Sequence, residues 1–233
     1  MGNFTLLEAV RRSNRSTIVV QVSTDEVYGD TVNGSFEEVA RLKLSSPYAS
    51  SKAAADMFAL AYQRTYGLDV RITRCTNNFG PYQHPEKLIP KTIIRARLDL
   101  PIPLYGRGQQ MRDWIYVLDH CMALNQVMEK GKAGEVYNIS GGNEMLNVQV
   151  VESILELLGK PSDLIQFVED RPGHDVRYSL DSSKIRSELS WSPKHSFTDA
   201  LRDTVEWYVK NEPWWKRQAS KEMLHPTPWK LEW

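Results

Sequence analysis

The stretch TIVVQVSTDEVYG at residues 17–29 decides the fold of this 233-residue chain. Its first part, residues 17–23, is β-branched and nearly continuously apolar, which is typical of a parallel strand that is covered on both faces. The carboxyl end of this predicted strand delivers Thr24, Asp25 and Glu26. Because ligands of open α/β sheets lie at the carboxyl ends of strands, the sequence predicts a site at this turn.

The segments on either side of this strand predict helices. Apolar residues recur at helical spacing over residues 4–10, before Arg11 and Arg12, and Ser13 and Asn14 predict the end of that helix. Residues 47–66 predict a long alanine-rich helix that ends at Gly67, and residues 68–74 predict the next strand. This second helix would carry Tyr48 and Lys52 one turn apart on the same face.

After Cys75 the pattern becomes more mixed. It predicts a turn-rich loop at 77–82, a helix at 88–98, a short strand or extended segment at 101–106 and a helix within 113–128. Farther along it predicts a strand at 135–139, a helix at 148–158, a loop at 171–174 and a helix at 197–210. The alternation of strands and helices favours an α/β fold. We expect the C-terminal part of a doubly wound parallel, Rossmann-like sheet, joined to a smaller mixed α/β substrate lobe.

The first turn of such a sheet normally carries closely spaced glycines, which bring backbone N–H groups to a pyrophosphate. The nearest glycine groups in this sequence are Gly106-x-Gly108 and Gly141-Gly142, and neither stands between a predicted strand and a predicted helix. Met1 directly precedes the first predicted helix. We therefore expect this chain to lack the first half of a nucleotide-binding domain and to bind the dinucleotide NAD weakly or not at all.

Composition sets milder bounds. Lys and Arg number 29 and balance 29 Asp and Glu, so charge gives no reason to expect a nucleic acid or an acidic membrane surface as partner. No apolar stretch approaches the length of a membrane span, and the N-terminus lacks a signal-peptide pattern. Cys75 and Cys121 form no Cys-x-x-Cys pair, and we expect both to be buried structural thiols of a soluble cytoplasmic protein. The spacing of the histidines, His174 included, predicts no metal site.

Two pairs of side chains point to proton and hydride chemistry. A tyrosine with a pKa near ~10 is a poor base until a cation stabilises its phenolate, and Lys52 is spaced to do this for Tyr48 and to bond a nicotinamide ribose. Adjacent carboxylates such as Asp25 and Glu26 can act as general acid and general base in one turnover. Taken alone, each pair is also compatible with a solvated helix face or a solvated turn.

Six motifs in order give a more specific indication, and with them the sequence resembles the dTDP-glucose 4,6-dehydratases, which are extended short-chain dehydrogenase/reductase proteins. The resemblance extends to about Trp207. Asp25-Glu26 and the 171–174 loop favour the dehydratase branch over the sugar-nucleotide epimerases. The motifs are TDEVYG at 24–29, Tyr48-x-x-x-Lys52, NNFGP at 77–81, PEKLIP at 85–90, RDWIYV at 112–117 and DRPGHD at 170–175.

The resemblance implies a role for each residue of the turn and of the long helix. Tyr48 would take the proton of the C4 hydroxyl of the hexose while hydride passes to NAD+, and Thr24 would bind the C4 oxygen. Glu26 would remove the acidified C5 proton, and Asp25 would protonate the departing C6 hydroxyl. Lys52 would hold Tyr48 and the cofactor ribose in register. The implied cofactor contacts are Ser23, Tyr48, Lys52 and Asn78.

The resemblance also implies a clamp for the nucleotide sugar, in which polar groups hold the diphosphate and an apolar segment passes along the nucleoside. The implied domains are a partial NAD-binding Rossmann domain at residues 1–80 and a mainly nucleotide-sugar-binding lobe at 81–233, with some segments returning to the first domain. A homodimer through the first helix and the Tyr48 helix is implied as well. Besides Thr24, the clamp residues are Asn77, Lys87, Leu88, Pro103, Leu104, Tyr105, Arg112, Asn147, Arg171 and His174.

Two alternatives remain open at this point. One is a dehydratase, decarboxylase or epimerase for a different nucleotide sugar, because no residue reads the base unambiguously. The other is a non-catalytic protein that binds a sugar nucleotide or a partner subunit while it retains the catalytic residues. Tryptophans are concentrated near the C-terminus, and they predict packing of the tail onto the lobe or onto a subunit. Nucleobase stacking is the alternative, but no interleaved basic residues support it. The tryptophans are Trp207, Trp214, Trp215, Trp229 and Trp233.

Overall fold

The computed structural model describes residues 2–13, 16–220 and 224–231. Its helices are α1 (Gly2–Arg12), α2 (Pro47–Tyr66), α3 (Leu88–Arg97), α4 (Val117–Lys130), α5 (Asn147–Leu158), α6 (Ser183–Leu189), α7 (Phe197–Lys210) and α8 (Glu212–Gln218). Its strands are β1 (Val19–Val22), β2 (Val70–Cys75), β3 (Asn77–Phe79), β4 (Ile102–Tyr105), β5 (Met111–Tyr116), β6 (Val136–Ile139), β7 (Glu144–Leu146) and β8 (Ile165–Val168). The α/β fold class predicted from the sequence is confirmed.

Helix α2 has the predicted bounds because both of its ends are set by local chemistry. The side chain of Ser46 accepts a hydrogen bond from the backbone N–H of Ala49 at 3.0 Å, and Pro47 occupies the first turn. Gly67 ends the helix in the left-handed conformation, with φ 69°, and donates its N–H to the carbonyl of Gln63. The long helix thus presents Tyr48 and Lys52 from its first two turns.

The main sheet is parallel, in the order β1-β2-β6. Val19 lies opposite Val70, and Ile72 lies opposite Val136. β2 is buried along its whole length, because it has strands on both sides and helices on both faces. β1 pairs only with β2 among the described residues, and Ile18 and Val22 are exposed, so the prediction that this strand is covered on both faces is wrong for it.

Two smaller sheets complete the molecule. β5 lies between β3, which is parallel to it, and β7, which is antiparallel, while β4 pairs with β8. The predicted loop at 77–82 is therefore a strand in its first half, since Asn77 pairs with Trp114 of β5. The helix predicted within 113–128 likewise begins only at Val117, after that strand. Both differences come from pairing with distant strands, which local turn signals do not report.

The largest hydrophobic core lies where α3, α5 and α7 pack together beside β5, and it includes Ile93, Trp114, Ile154 and Tyr208. Much of the tryptophan-rich tail packs onto this core, as predicted. Trp215 is buried and donates its indole N–H to the carbonyl of Tyr208 at 2.8 Å. The rings of Trp207 and Trp214 lie 4.5 and 5.4 Å from the ring of Tyr82. Trp233 lies outside the described residues.

The two cysteines differ in environment. Cys75 is buried at the end of β2, as predicted, whereas Cys121 is exposed on α4, so the prediction of a second buried thiol is wrong. Helical periodicity alone did not show that position 121 faces away from the sheet. In the part of the chain that is described, no helix is long and apolar enough to cross a membrane. The same residues include no group of three or more His, Cys, Asp or Glu side chains placed to hold a metal ion.

Candidate functional site

The predicted catalytic turn is a short 3₁₀ helix, Asp25–Tyr28, which follows directly after β1. At its start the hydroxyl of Thr24 accepts a hydrogen bond from the N–H of Glu26 at 3.3 Å. At its end Gly29 has φ 80°, and a Cβ there would lie 2.3 Å from the carbonyl oxygen of Lys43. This close approach requires glycine and holds the two carboxylates at the end of the strand.

Asp25 lies in an environment that favours its protonated form. Its side chain is 4% exposed, and one carboxyl oxygen accepts a hydrogen bond from Thr24 at 3.1 Å. The other oxygen has no hydrogen-bond partner among the described residues. Burial, and next the charge of Glu26, raise the pKa of Asp25 to about 7. The carboxyl group can therefore hold a proton close to neutral pH, as a general acid must.

Glu26 is only partly buried, and cations surround it. Burial raises its pKa, while the positive charges of Arg171, Arg112 and Lys87 act in the opposite direction. These three cations belong to the predicted clamp. The charge of the clamp therefore acts on the carboxylate turn.

Tyr48 and Lys52 lie at the start of α2, beside the turn. Lys52 donates from Nζ to the carbonyl of Val22, at the end of β1, at 2.6 Å. Burial raises the pKa of Tyr48, as do the charges of Glu26, Cys75 and Asp25, while a hydrogen bond with Thr24 lowers it. The net direction is opposite to the lowering expected from a neighbouring lysine. Burial is the main reason, the neighbouring acidic groups act in the same direction, and the ammonium group of Lys52 is bonded to the strand end.

A buried polar network, which the sequence did not predict, includes Tyr28 of the catalytic turn. Arg74 of β2 donates to Asp56 of α2 at 3.0 Å and to the hydroxyl of Tyr28 at 2.8 Å. Tyr28 in turn donates to the side-chain oxygen of Asn138 of β6 at 2.9 Å. A signal existed for Asp56, because it lies one turn beyond Lys52 on the same apolar helix face. Its partners are distant in sequence and could not be paired with it from the sequence alone.

The two further predicted cofactor residues lie in different sheets, Ser23 directly after β1 and Asn78 within β3. The hydroxyl of Ser23 donates to Asp56 at 3.0 Å, so it belongs to the buried network. The amide nitrogen of Asn78 donates to the carbonyl of Thr76 at 3.2 Å. The side-chain oxygen of Asn78 is buried and has no partner among the described residues. It is a free acceptor near the catalytic turn.

Ten predicted clamp residues line one cavity of about 380 Å³. They come from β3, the start of α3, β4, β5, the start of α5 and the 171–174 loop, so tertiary structure joins segments that are far apart in the chain. The ten are Asn77, Lys87, Leu88, Pro103, Leu104, Tyr105, Arg112, Asn147, Arg171 and His174. The cavity is also lined by five residues that were not predicted, namely Glu86, Lys91, Trp114, Pro228 and Trp229.

The cations of the cavity differ in how they are held. Arg112 is buried, donates to the carbonyls of Met111 and Asp175 at 2.7 and 2.8 Å, and lies 4.5 Å from the ring of Tyr178. Arg171 is exposed, so its side chain is free to adjust to a ligand. His174 contacts Asp170 at 2.6 Å, and its pKa is lowered by burial. The cavity thus combines a buried cation with an exposed one, and arginines can bind a diphosphate through paired hydrogen bonds.

Comparison with known proteins agrees with this geometry. Residues 1–204 match the family model described as GDP-mannose 4,6 dehydratase. The fold and the site define an α/β protein of the nucleotide-sugar-modifying class, and the chain belongs to this 4,6-dehydratase family. The resemblance to dTDP-glucose 4,6-dehydratases is confirmed by the relatives.

One relative is the dTDP-glucose 4,6-dehydratase of Streptomyces niveus, which is 48% identical over 228 residues and is aligned over 98% of this chain and 68% of its own length. Among solved structures, the dTDP-glucose 4,6-dehydratase of Bacillus anthracis in complex with NAD is 52% identical, with a TM-score of 0.90 over 94% of this chain and 70% of that chain. The enzyme of Streptomyces venezuelae with NAD and TYD bound is 48% identical, with a TM-score of 0.92 over 94% and 67%. The chain therefore spans about two thirds of the length of these relatives.

Proposed function

We propose that the chain carries the catalytic and nucleotide-sugar-binding residues of an NAD-dependent dTDP-glucose 4,6-dehydratase. Such an enzyme converts dTDP-glucose to dTDP-4-keto-6-deoxyglucose in deoxysugar biosynthesis. The observation that carries the proposal is the buried Asp25 carboxyl, which is next to Glu26 at a strand end and faces the cations of the clamp. A proton donor and a proton acceptor beside a diphosphate site are what an internal elimination requires.

The residues of the chain perform the proton transfers. Tyr48 accepts the proton of the C4 hydroxyl, and Thr24 binds the same oxygen. The C4 ketone then acidifies the C5 proton, which Glu26 removes, while Asp25 protonates the C6 oxygen and the C6–O bond breaks to release water. Bound NAD+ would supply the hydride acceptor and donor: the hydride that leaves C4 would return to C6 while Glu26 returns a proton to C5, and the cofactor would end the cycle in its original state.

The described residues fit the nicotinamide end of this cofactor. The unpartnered side-chain oxygen of Asn78 can accept from a carboxamide, and Tyr48 and Lys52 offer donors to the neighbouring ribose. The hydroxyl of Ser23 donates to Asp56, which belongs to the same helix as Tyr48 and Lys52. For the pyrophosphate, the described residues provide no glycine-rich turn between a strand and a helix. We therefore keep the prediction that the chain by itself binds NAD weakly.

The clamp holds the substrate through its diphosphate and its nucleoside. Arg112, Arg171, Lys87 and Asn77 serve the diphosphate, and the apolar Pro103–Tyr105 side of the cavity serves the nucleoside. We propose that the hexose lies toward Glu26, and the influence of the same cations on the pKa of that carboxylate supports this orientation. A pyrophosphoryl group in this cavity would bring the sugar to the catalytic turn.

We also propose that the protein forms a homodimer through α1 and α2. Four large apolar side chains on these helices, Phe4, Leu6, Met57 and Phe58, are exposed. Met57 and Phe58 line an apolar groove of α2 together with Ala54 and Ala61. Such a patch favours burial against a second copy. The two free cysteines accord with a reducing compartment, and we place the protein in the cytoplasm.

Hydrogen exchange at C5 of dTDP-4-keto-6-deoxyglucose tests the function without a hydride step. In deuterated buffer, the chain is expected to accelerate incorporation of deuterium at C5, because the ketone acidifies this position and Glu26 removes the proton. Glu26→Gln should slow the exchange by at least about 100-fold. Mass spectrometry of the sugar measures the rate.

The matched control is Glu37→Gln, which neutralises an exposed glutamate outside the turn and should leave the exchange rate unchanged. Exchange no faster with the wild-type chain than with buffer alone would contradict the proposed function. Conversion of dTDP-glucose in the presence of added NAD+ is the complementary assay, because it also requires the hydride steps.

A further inference from the structure

The C-terminal segment 224–231 forms one wall of the clamp cavity. Pro228 and Trp229 line the cavity together with Pro103, Leu104 and Tyr105. The indole of Trp229 stands edge-on to the ring of Tyr105, with a centroid distance of 4.6 Å and an interplanar angle of 90°. Two aromatic rings therefore meet in the cavity. Tyr105 comes from β4, and Trp229 comes from the segment 224–231.

Two buried cations of α3 fasten this segment. Lys91 donates from Nζ to the carbonyl of His225 at 2.6 Å, and Arg95 donates to the carbonyl of Leu224 at 2.5 Å. Both cationic side chains are almost fully buried. Because a buried cation without a partner is costly, these bonds favour the docked position of the segment. Farther along, Lys230 pairs with Glu169.

The lining of the cavity separates into charged and aromatic groups. Lys87, Arg112 and Arg171 supply positive charge, whereas Tyr105 and Trp229 supply flat apolar surfaces. An anion joined to a flat ring satisfies both groups, and a nucleoside diphosphate is such a ligand. An aromatic side chain that contacts a nucleobase stabilises the bound nucleotide, whichever base it carries.

We propose that Trp229 contacts the nucleobase of the bound nucleotide, so that the segment 224–231 is part of the nucleotide site rather than only a packed tail. This inference rests on the proposed function and adds a residue that recognises the base. Lys91 and Arg95 would then position Trp229, because both side chains donate hydrogen bonds to backbone carbonyls of this segment. The ligand class is a pyrimidine nucleoside diphosphate.

Calorimetric titration of the complete chain with two probes, dTDP and inorganic pyrophosphate, tests the inference. Trp229→Ala should weaken dTDP binding by about tenfold and leave pyrophosphate binding within twofold, because pyrophosphate has no base. Trp229→Phe should retain dTDP affinity within about threefold, since it keeps an aromatic face. The matched control is Trp214→Phe, a tail tryptophan that packs on Tyr82 and does not line the cavity.

Removal of the chain after residue 223 provides a second variant, which should lose dTDP affinity to the same extent as Trp229→Ala. Unchanged dTDP affinity of Trp229→Ala, with tight binding by the wild-type chain, would overturn this inference and leave the proposed function standing. An equal loss for dTDP and pyrophosphate would also overturn it, because it would indicate collapse of the cavity. If the wild-type chain binds no dTDP, the proposed function fails, and the inference fails with it.

Discussion

At the scale of single residues, Asp25 combines poor solvation with an important chemical role. The carboxyl group is buried, one of its oxygens lacks a partner in the described part of the structure, and Glu26 adds a like charge. A group in this position destabilises the folded state when it ionises. The same environment keeps the carboxyl group protonated, so that Asp25 can donate this proton to a leaving group. We therefore interpret the turn as a place where the folded state is less stable because catalysis requires a buried acid.

Replacement of Asp25 by Asn is expected to stabilise the protein, and more so at high pH. The pKa of Asp25 is about 7 in the folded protein, whereas the ordinary pKa of an aspartate in an unfolded chain is 3.8, so the folded state binds more protons between these values. Wild-type stability therefore falls as pH rises from about 4 to 7, whereas Asn does not ionise. The advantage of Asp25→Asn should be about 2–3 kcal/mol larger at about pH 8 than at about pH 5.

Urea denaturation of the two proteins at both pH values measures this difference in the free energy of unfolding. Asp30→Asn is the control, because Asp30 is exposed and follows the same turn. A stability difference between the Asp25 variant and the wild type that does not change with pH would show that the carboxyl group is not held in its protonated form.

At the scale of secondary-structure elements, the buried Arg74 network connects β1, β2, β6 and α2 beneath the catalytic turn. Arg74 and Asp56 are both almost completely buried, and their contact measures 3.0 Å. Asp56 also accepts from Ser23 at the end of β1. The network therefore holds together the elements that carry the carboxylates and Tyr48, which come from separate parts of the chain.

Removal of one partner of this ion pair should be strongly destabilising. Arg74→Met leaves Asp56 buried without its cation, and the expected loss in the free energy of unfolding is about 3–5 kcal/mol. The double variant Arg74→Met with Asp56→Leu should lose less than the sum of the two single variants, because it leaves no uncompensated charge. Denaturant unfolding of the four proteins in the cycle measures the coupling.

The exposed pair Lys210–Glu206 provides the control for this cycle. Lys210→Met should cost less than about 1 kcal/mol, because water screens that interaction. If Arg74→Met were as mild as Lys210→Met, the buried network would not be what holds these elements together.

At the scale of the whole molecule, α1 and α2 expose an apolar face that contacts none of the three sheets in the described part of the chain. We expect Leu6→Glu with Phe58→Glu to convert a dimer into a monomer, since two charges would be buried in the proposed interface. Analytical ultracentrifugation measures the molecular mass. Val39→Glu is the control, because Val39 is highly exposed elsewhere on the surface. A wild-type chain that sediments as a monomer of 26.8 kDa would refute the proposed dimer.

Much of the fold could be predicted because some elements are set by adjacent residues. The alanine-rich run that ends at Gly67 predicted the bounds of α2, and residues 197–210 predicted those of α7. The prediction missed β7, β8, α6 and α8, which are short. It also assigned a loop where β3 lies, because Asn77 becomes a strand residue only by pairing with Trp114.

The sequence by itself determined the α/β class, helices α2 and α7, the acidic turn after the first strand and the residue types of the clamp. Only the tertiary structure decided that the ten clamp residues share one cavity, that Lys52 bonds the carbonyl of Val22, and that Trp229 lies against Tyr105. The physical reason is the separation along the chain over which each interaction acts. Caps, turns and helical periods act between neighbours in the chain, whereas burial, charge coupling and ring contacts depend on segments that meet only after folding.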